Sequence, residues 1–515
     1  MKLNYKRTIL VGFAFFLISA FWQAYDATIA LTLTNKFGMS QTWSGVVMAL
    51  DNILALFLLP LFGTLSDKHK GKSGRRTPFI RFGTTVAAIA LVCLSFVDNT
   101  QLNLVKDVAA VDDPAALSII YDTQATKELK TPDGTAFRLS DKFSSKEDFV
   151  SIRTDSAADE NGEDLYTNYV VPARQAYASD QTDANPMPLV LFIGILLVLL
   201  VAMGTFRSPA VALMPDVTIK PLRSKANAII NLMGTAGGII VLLLGMGFAF
   251  GISKAENAMM SYTPYYIVIA AVMLIALGIF SFTVKEKEWV AQMQSDTIRY
   301  GIEEEAQITE KSKLSGSQKF SLICILLSVA LWYFGYNAVT SKYSVYAPNV
   351  LQKGYNDTML IAQGFAIVAY LPAGIVASKV GRKKTILTGV ALLAVAFGAA
   401  SFMRSTSPGW LMYVLFALAG VAWATINVNS FPMVVEMCTG SNVGKYTGFY
   451  YTASMAAQTL TPMLSGFLMD RVGMTSLFPY AAIFVALAFV TMMLVKHGDA
   501  KIVSKKGLEA LQVED

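Results

Sequence analysis

Three ionisable side chains fall inside long apolar runs: Asp26 in WQAYDATIAL, Asp51 in MALDNILAL and Arg207 in FRSPAVALM. A charge at such a position is costly in a bilayer, and it normally faces the interior of a helix bundle and serves a function there. A buried carboxylate beside a guanidinium can bind and release a proton, and it can equally ligate a sodium ion. Asp26 and Asp51 are therefore the candidate ion-coupling groups, with Arg207 as their partner. The competing reading is an ion pair that only locks helices together.

A second set of residues suits recognition of a polyhydroxylated ring. Such a ligand needs aromatic faces for its C–H side and amides or carboxylates for its hydroxyls. The run LWYFGYNAVTSKYSVYA holds Trp332, Tyr333, Tyr336 and Asn337, with Asn337 one helical turn from Tyr333. Trp22 lies one turn before Asp26, Trp423 precedes Asn427 by one turn, and Gln458 lies in a later run. Asn227 and Asn231 share a helix face, followed by Gly234 and Gly238, which permit close helix approach. Any one of these aromatics could be packing or an interfacial belt residue. Their recurrence with amides in several runs is the stronger signal.

The third set is the phrase GTLSDKHKGKSGRR at Gly63–Arg76, with a second, weaker copy at Gly374, Ser378, Lys379 and the GRKK of Gly381–Lys384. Topology alone explains the cations but does not require Asp67. Asp67, Arg75 and Arg76 are expected to hold one mouth of the bundle shut. Asp67 is expected to meet the start of a later helix capped by Ser441-Asn442. Asp216 joins this set from a helix end, and Arg382 holds the matching place in the second copy.

Elements that span a membrane must position these residues. The chain has 515 residues, 54% hydrophobic and only 15% charged, where soluble proteins carry about 25% charged residues. Mean hydropathy is +0.49. Twelve apolar runs near the length of about 20 residues needed to cross a bilayer lie between residues 8 and 495. Lysine and arginine concentrate in alternate loops, which places both termini in the cytoplasm of a multi-pass plasma-membrane protein. Residues 98–187 carry 17 acidic and 8 basic residues, so the net charge of +6 conceals an acidic external segment and a basic inner surface. That split assigns the basic excess to topology and lipid contact and disfavours nucleic acid as a partner.

The expected fold is all-α and integral to the membrane, with twelve transmembrane helices in two pseudo-symmetric six-helix halves. The first half covers 1–284 and contains the small extracellular insertion 98–187 between spans three and four. A cytoplasmic connector, 285–317, starts with an amphipathic stretch around Trp289. The second half is 318–495 and a tail follows at 496–515. The insertion has a turn signal at Pro132-Asp133-Gly134 and strand-like runs at Phe149–Arg153 and Tyr166–Val171, so the expectation is a small, partly ordered β-rich cap, the alternative being a largely disordered segment.

With these motifs in view, the chain resembles a major facilitator superfamily carrier over all twelve spans, though not over 98–187. The SDK…GRRTPF loop, the run Phe206–Asp216 and the run Asn427–Pro432 are similar to the sucrose-carrier-like branch, near the glycoside–pentoside–hexuronide:cation symporters. The resemblance implies alternating access to a central cavity, a glycoside cargo such as a di- or oligosaccharide, and a coupled proton or sodium. The chain departs from that branch in span seven. Relatives often carry an acid towards its outer end, where this chain reads Asn337 to Lys342 without one.

No phosphate-binding loop occurs, which disfavours nucleotide-driven transport. The two histidines, His69 and His497, lie outside the apolar runs, so no Ser/His/Asp centre can form within them. The three cysteines have no zinc spacing and form no disulfide framework. The chain reads as a monomeric sugar symporter without a cofactor, and not as an enzyme. The competing readings are an exporter of amphipathic compounds on the same scaffold and a non-transporting membrane sensor.

Overall fold

The computed structural model describes residues 3–156, 164–219, 222–248, 259–300, 315–435 and 443–497. Among the described residues, twelve long helices form two bundles. The first contains α1 (Tyr5–Leu31), α2 (Gln41–Lys68), α3 (Thr77–Leu104), α8 (Met187–Val217), α9 (Arg223–Gly247) and α10 (Thr263–Thr283). The second contains α12 (Gly316–Tyr346), α13 (Tyr355–Val380), α14 (Arg382–Ala400), α15 (Gly409–Val435), α16 (Val443–Val472) and α17 (Leu477–Met493). Ten of these helical stretches are long and apolar enough to cross a membrane.

Local sequence sets where the helices begin. The Asn4 side chain accepts from the Arg7 N–H to start α1, and Ser40 does the same for Trp43 at the start of α2. Ser315 and Gln318 form a reciprocal capping box on α12. Within the first half, α1 packs on α9 and α3 on α8; within the second, α13 packs on α15 and α12 on α17. One apolar core runs through both halves.

The halves meet most closely where α2 crosses α16. A methyl group on Gly45 would overlap the Pro462 carbonyl oxygen, and one on Gly466 would overlap that of Gln41. Small residues let helix backbones approach in this way, and van der Waals contact between backbones is what holds helices together where lipid offers no hydrophobic contrast.

The insertion differs from its expected form. The turn at Pro132–Gly134 does close a hairpin, but its strands Leu129–Lys130 and Ala136–Phe137 are two residues each. Most of the rest is helical: α4 (Pro114–Gln124), α5 (Leu139–Lys142), α6 (Lys146–Val150) and α7 (Val171–Ala184). Both strand-like runs are overturned. Phe149 belongs to α6, and Tyr166–Val170 is a π-helical turn leading into α7. The β-propensity of these short aromatic and branched runs gave way to burial, because Phe149, Tyr166 and Tyr169 form a separate apolar core with Leu117, Ile120 and Val170. The amphipathic start of the connector is α11 (Glu286–Arg299). It lies against the start of α1, where Arg7 donates to the Trp289 carbonyl at 2.8 Å and covers its ring.

Candidate functional site

The three charged residues of the apolar runs converge. Asp26 of α1 and Asp51 of α2 act on each other electrostatically, and Arg207 of α8 is coupled to Asp51. None of the three forms a close ion pair with another; Asp51 instead accepts from the Asn52 amide at 2.7 Å, and Arg207 covers the Trp22 ring at 5.5 Å. All three, and Trp22, are only half-buried although they lie well inside their helices. A charge with accessible surface this far from the helix ends is expected to face the interior of the bundle rather than lipid.

The other wall comes from the second half. Asp26 acts electrostatically on Tyr336 of α12 and Tyr355 of α13, and Arg207 is coupled to Tyr451 of α16. Tyr336 stacks on Trp423 of α15 with centroids 3.6 Å apart, and Tyr333 meets the same indole edge-on at 5.4 Å. Asn427 interacts with the Tyr370 hydroxyl, and Asn337 and Gln458 are half-buried on α12 and α16. The Trp22 Nε1 and Tyr25 hydroxyl are buried and have no protein partner. Unpaired donors of this kind are costly unless water or a ligand satisfies them.

Three expected ligands are placed differently. Trp332 is 1% exposed and sits in the core of the second half, turned about 100° around α12 from Tyr333, so it offers no face to the interior space. Asn227 and Asn231 are exposed on α9. They share the helix face of Gly238 and Gly245, which touch Gln363 and Asn356 of α13, but they lie beyond that contact, towards the end of the bundle that carries the Asp67–Arg76 loop.

That loop forms a dense ionic cluster. Asp216 receives both arginines: Arg75 through Nη2 at 2.6 Å and Nε at 3.1 Å, and Arg76 through Nε at 2.9 Å. Arg76 also pairs with Asp67. The hydrogen bonds to Asp216 raise the Arg75 guanidinium above its ordinary value, against a smaller opposing effect of burial. Glu286 completes the cluster. It is buried and accepts from the N–H groups of Arg75, Arg76 and Thr77 and from the Thr77 hydroxyl, at 2.7–2.9 Å for the shorter contact of each. These are the free donors at the start of α3. Gly74, at φ +116°, makes room: a methyl group there would overlap the Glu286 carboxyl group. The sequence reading missed Glu286, and the only signal was an acid directly after span six.

Asp67, Arg75, Arg76 and Asp216 meet one another within the first half and with the connector, so here they brace one half. The start of α16 at Ser441-Asn442, where Asp67 was expected to dock, lies outside the described residues. Arg382 opens α14 in the second half and is not part of this cluster.

Solved structures of similar shape span nearly the whole molecule. The inward-open xylose transporter XylE from E. coli aligns with a TM-score of 0.57 at 14% identity, covering 99% of this chain and 100% of that one. A D-xylose-proton symporter aligns at 0.56 and 13%, covering 96% and 99%. The chain shares the fold of these two structures. In sequence, residues 358–512 match the Major Facilitator Superfamily. MFS-type transporter ppzB from Metarhizium rileyi is 28% identical over 149 residues, 29% of this chain and 30% of that protein. Its counterpart from Metarhizium majus is 28% identical over 141 residues, 27% of this chain and 30% of the relative. The chain thus matches about a third of the length of these relatives.

Proposed function

We propose that this protein is a secondary transporter that moves a polyhydroxylated cargo, a sugar of the di- or oligosaccharide class, together with a proton or sodium ion. One observation carries the reading. An acid–base wall of Asp26, Asp51 and Arg207 from the first half faces an aromatic wall of Tyr333, Tyr336 and Trp423 from the second, across a space that retains solvent access. The aromatic faces suit the C–H side of a sugar ring. The orphaned Trp22 and Tyr25 donors, with Asn337, Asn427 and Gln458, suit its hydroxyls. Two similar folds belong to proteins described as a xylose transporter and a D-xylose-proton symporter, which favours a sugar cargo.

Asp26 and Asp51 are the coupling groups in this reading, since each is held near a cation or another acid without being locked into an ion pair. The basic Lys68–Arg76 and Lys379–Lys384 loops favour a cytoplasmic position for that end of the bundle and for both termini, in the plasma membrane. Among the described residues, hydrogen bonds between the halves lie at mid-depth or towards the insertion: Gln23 with Tyr355 at 3.0 Å and with Gln363, Asp470 with Gln41 at 2.8 Å, and Lys342 with Ser44 at 2.7 Å. This pattern supports a state closed at the insertion side and open to the cytoplasm.

Counterflow in proteoliposomes tests the reading. Labelled di- and oligosaccharides should exchange, and an imposed proton or sodium gradient should drive their accumulation. Outward flux of amphipathic compounds without sugar exchange would replace this reading with the exporter, and absence of any flux would replace it with the sensor.

A further inference from the structure

The insertion side of the bundle is closed by groups drawn from both halves. Asp470, in the last turn of α16, accepts from the N–H groups of Gln41 at 2.8 Å and Thr42 at 2.7 Å, and from the Thr42 hydroxyl. These are the first free donors of α2, so the carboxylate sits on the positive end of that helix. Lys342 of α12 is fully buried and donates to the Gln41 carbonyl at 2.6 Å and the Ser44 hydroxyl at 2.7 Å. The start of α2 is thus gripped from two helices of the opposite half.

The insertion reaches over the same junction. Its body is rooted in the first half: Gln101 donates to the Lys36 carbonyl at 2.8 Å, and Thr182 of α7 donates to the Phe37 carbonyl at 3.0 Å. Its hairpin touches the second half, where Lys130 donates to the Asp470 carbonyl at 2.9 Å and the Pro132 carbonyl accepts from the Met474 N–H at 2.6 Å. A second touch joins Gln352, just past the π-helical turn Ala347–Leu351 that follows α12, to Asp164 and Thr167. The apolar core of the insertion contains no residue of the second half. Among the described residues, the insertion is therefore built into one half and meets the other through these hydrogen bonds and a close backbone contact of Asp133–Gly134 with Val472–Gly473.

We propose that Asp470, Lys342 and the hairpin Leu129–Phe137 form a releasable latch over the insertion-side mouth, and that the insertion is a strap which the second half must shed before that mouth opens. Polar contacts without apolar adhesion suit repeated release, because water replaces each hydrogen bond as it breaks. Asp470 and Asp67 also lie at opposite ends of α2 and α16, which run antiparallel. Asp470 serves one mouth of the cavity, as Asp67 was expected to serve the other. The proposal rests on the alternating openings of the transport reading.

Thiol accessibility tests it without cargo or gradient. Met48 is buried on the α2 face that carries Ser44 and Asp51, one turn below the latch. With Cys93, Cys324 and Cys438 replaced, Met48→Cys is labelled from the insertion side with a membrane-impermeant maleimide. Asp470→Asn should raise the labelling rate about tenfold, the effect of losing one charge-assisted bond from a two-state equilibrium. Lys130→Ala with Gln352→Ala alters only exposed or half-buried strap contacts, so it should fold normally and should also raise labelling. Unchanged labelling in the Lys130/Gln352 variant, at wild-type melting temperature, overturns the strap. Unchanged labelling in a folded Asp470→Asn overturns the latch. Faster labelling in a protein that shows no sugar flux would retain the latch and remove the transport reading.

Discussion

Tyr336 of α12 lies flat on Trp423 of α15, with ring centroids 3.6 Å apart and planes 3° from parallel. Tyr333 closes the indole from the side. The pair forms one rigid aromatic plate whose members come from two helices of the second half. Replacing Trp423 with Leu should remove both the plate and the stacking. Aromatic pairs are worth about 0.5–1.5 kcal/mol beyond burial, so apparent sugar affinity should fall up to about tenfold from this term alone. Tyr336→Phe keeps the face and should stay near wild type. Concentration dependence of counterflow measures both, and a normal affinity in Trp423→Leu would separate the plate from cargo binding.

Asp51 and Asp26 supply a different prediction, because they are expected to act on the driving ion. Asp51→Asn should abolish gradient-driven accumulation while downhill exchange of labelled sugar continues. Asp26→Asn should show the same division of effects. The amide keeps the size of the side chain but cannot carry the exchangeable charge. Full accumulation in both variants would remove these carboxylates from coupling. Loss of exchange as well would assign them to the cargo.

Glu286 should matter for stability far more than for flux. Its carboxylate satisfies the free donors at the start of α3, and these donors are buried. Glu286→Ala leaves them without a partner, at a cost of about 3 kcal/mol for lost charge-assisted bonds and stranded groups. Gly74→Ala should act in the same direction, since a methyl group there would displace the carboxylate. Thermal unfolding in detergent should show a clear downward shift for both, and Glu286→Gln should fall between them and wild type.

These residues also show what the sequence made legible. Asp26, Asp51 and Arg207 stood out because a charge within an apolar run is anomalous, and the structure places them together. The helical phase of span seven was harder to read. Trp332 and Tyr333 are neighbours in sequence, yet one is fully buried in the core and the other is half-buried against Trp423, and nothing in the run LWYFGYN distinguishes them. Glu286, Lys342 and Asp470 were overlooked because each lies near a helix end, where a charge is ordinary. Their roles depend on partners 429 to 209 residues away, such as Gln41 for Asp470 and Thr77 for Glu286, and pattern within a window cannot reveal that separation. The insertion misled through propensity: its short branched and aromatic runs suit strands, but pairing partners were absent and a small helical core formed instead.

That separate core makes the insertion a cooperative unit of its own. Phe149 is fully buried there, against Tyr121 at 5.6 Å and Phe143 at 5.4 Å. Phe149→Ala should destabilise the insertion by about 3–5 kcal/mol, a large fraction of what so small a core can supply. Its core is distinct from that of the bundle and joins it chiefly through Leu102 and Met259, so the loss should remain local. Limited proteolysis should cut the variant within residues 105–184, and amide exchange there should quicken, while the melting of the transmembrane helices stays near wild type. Concerted unfolding of insertion and bundle would show instead that the two form one cooperative body.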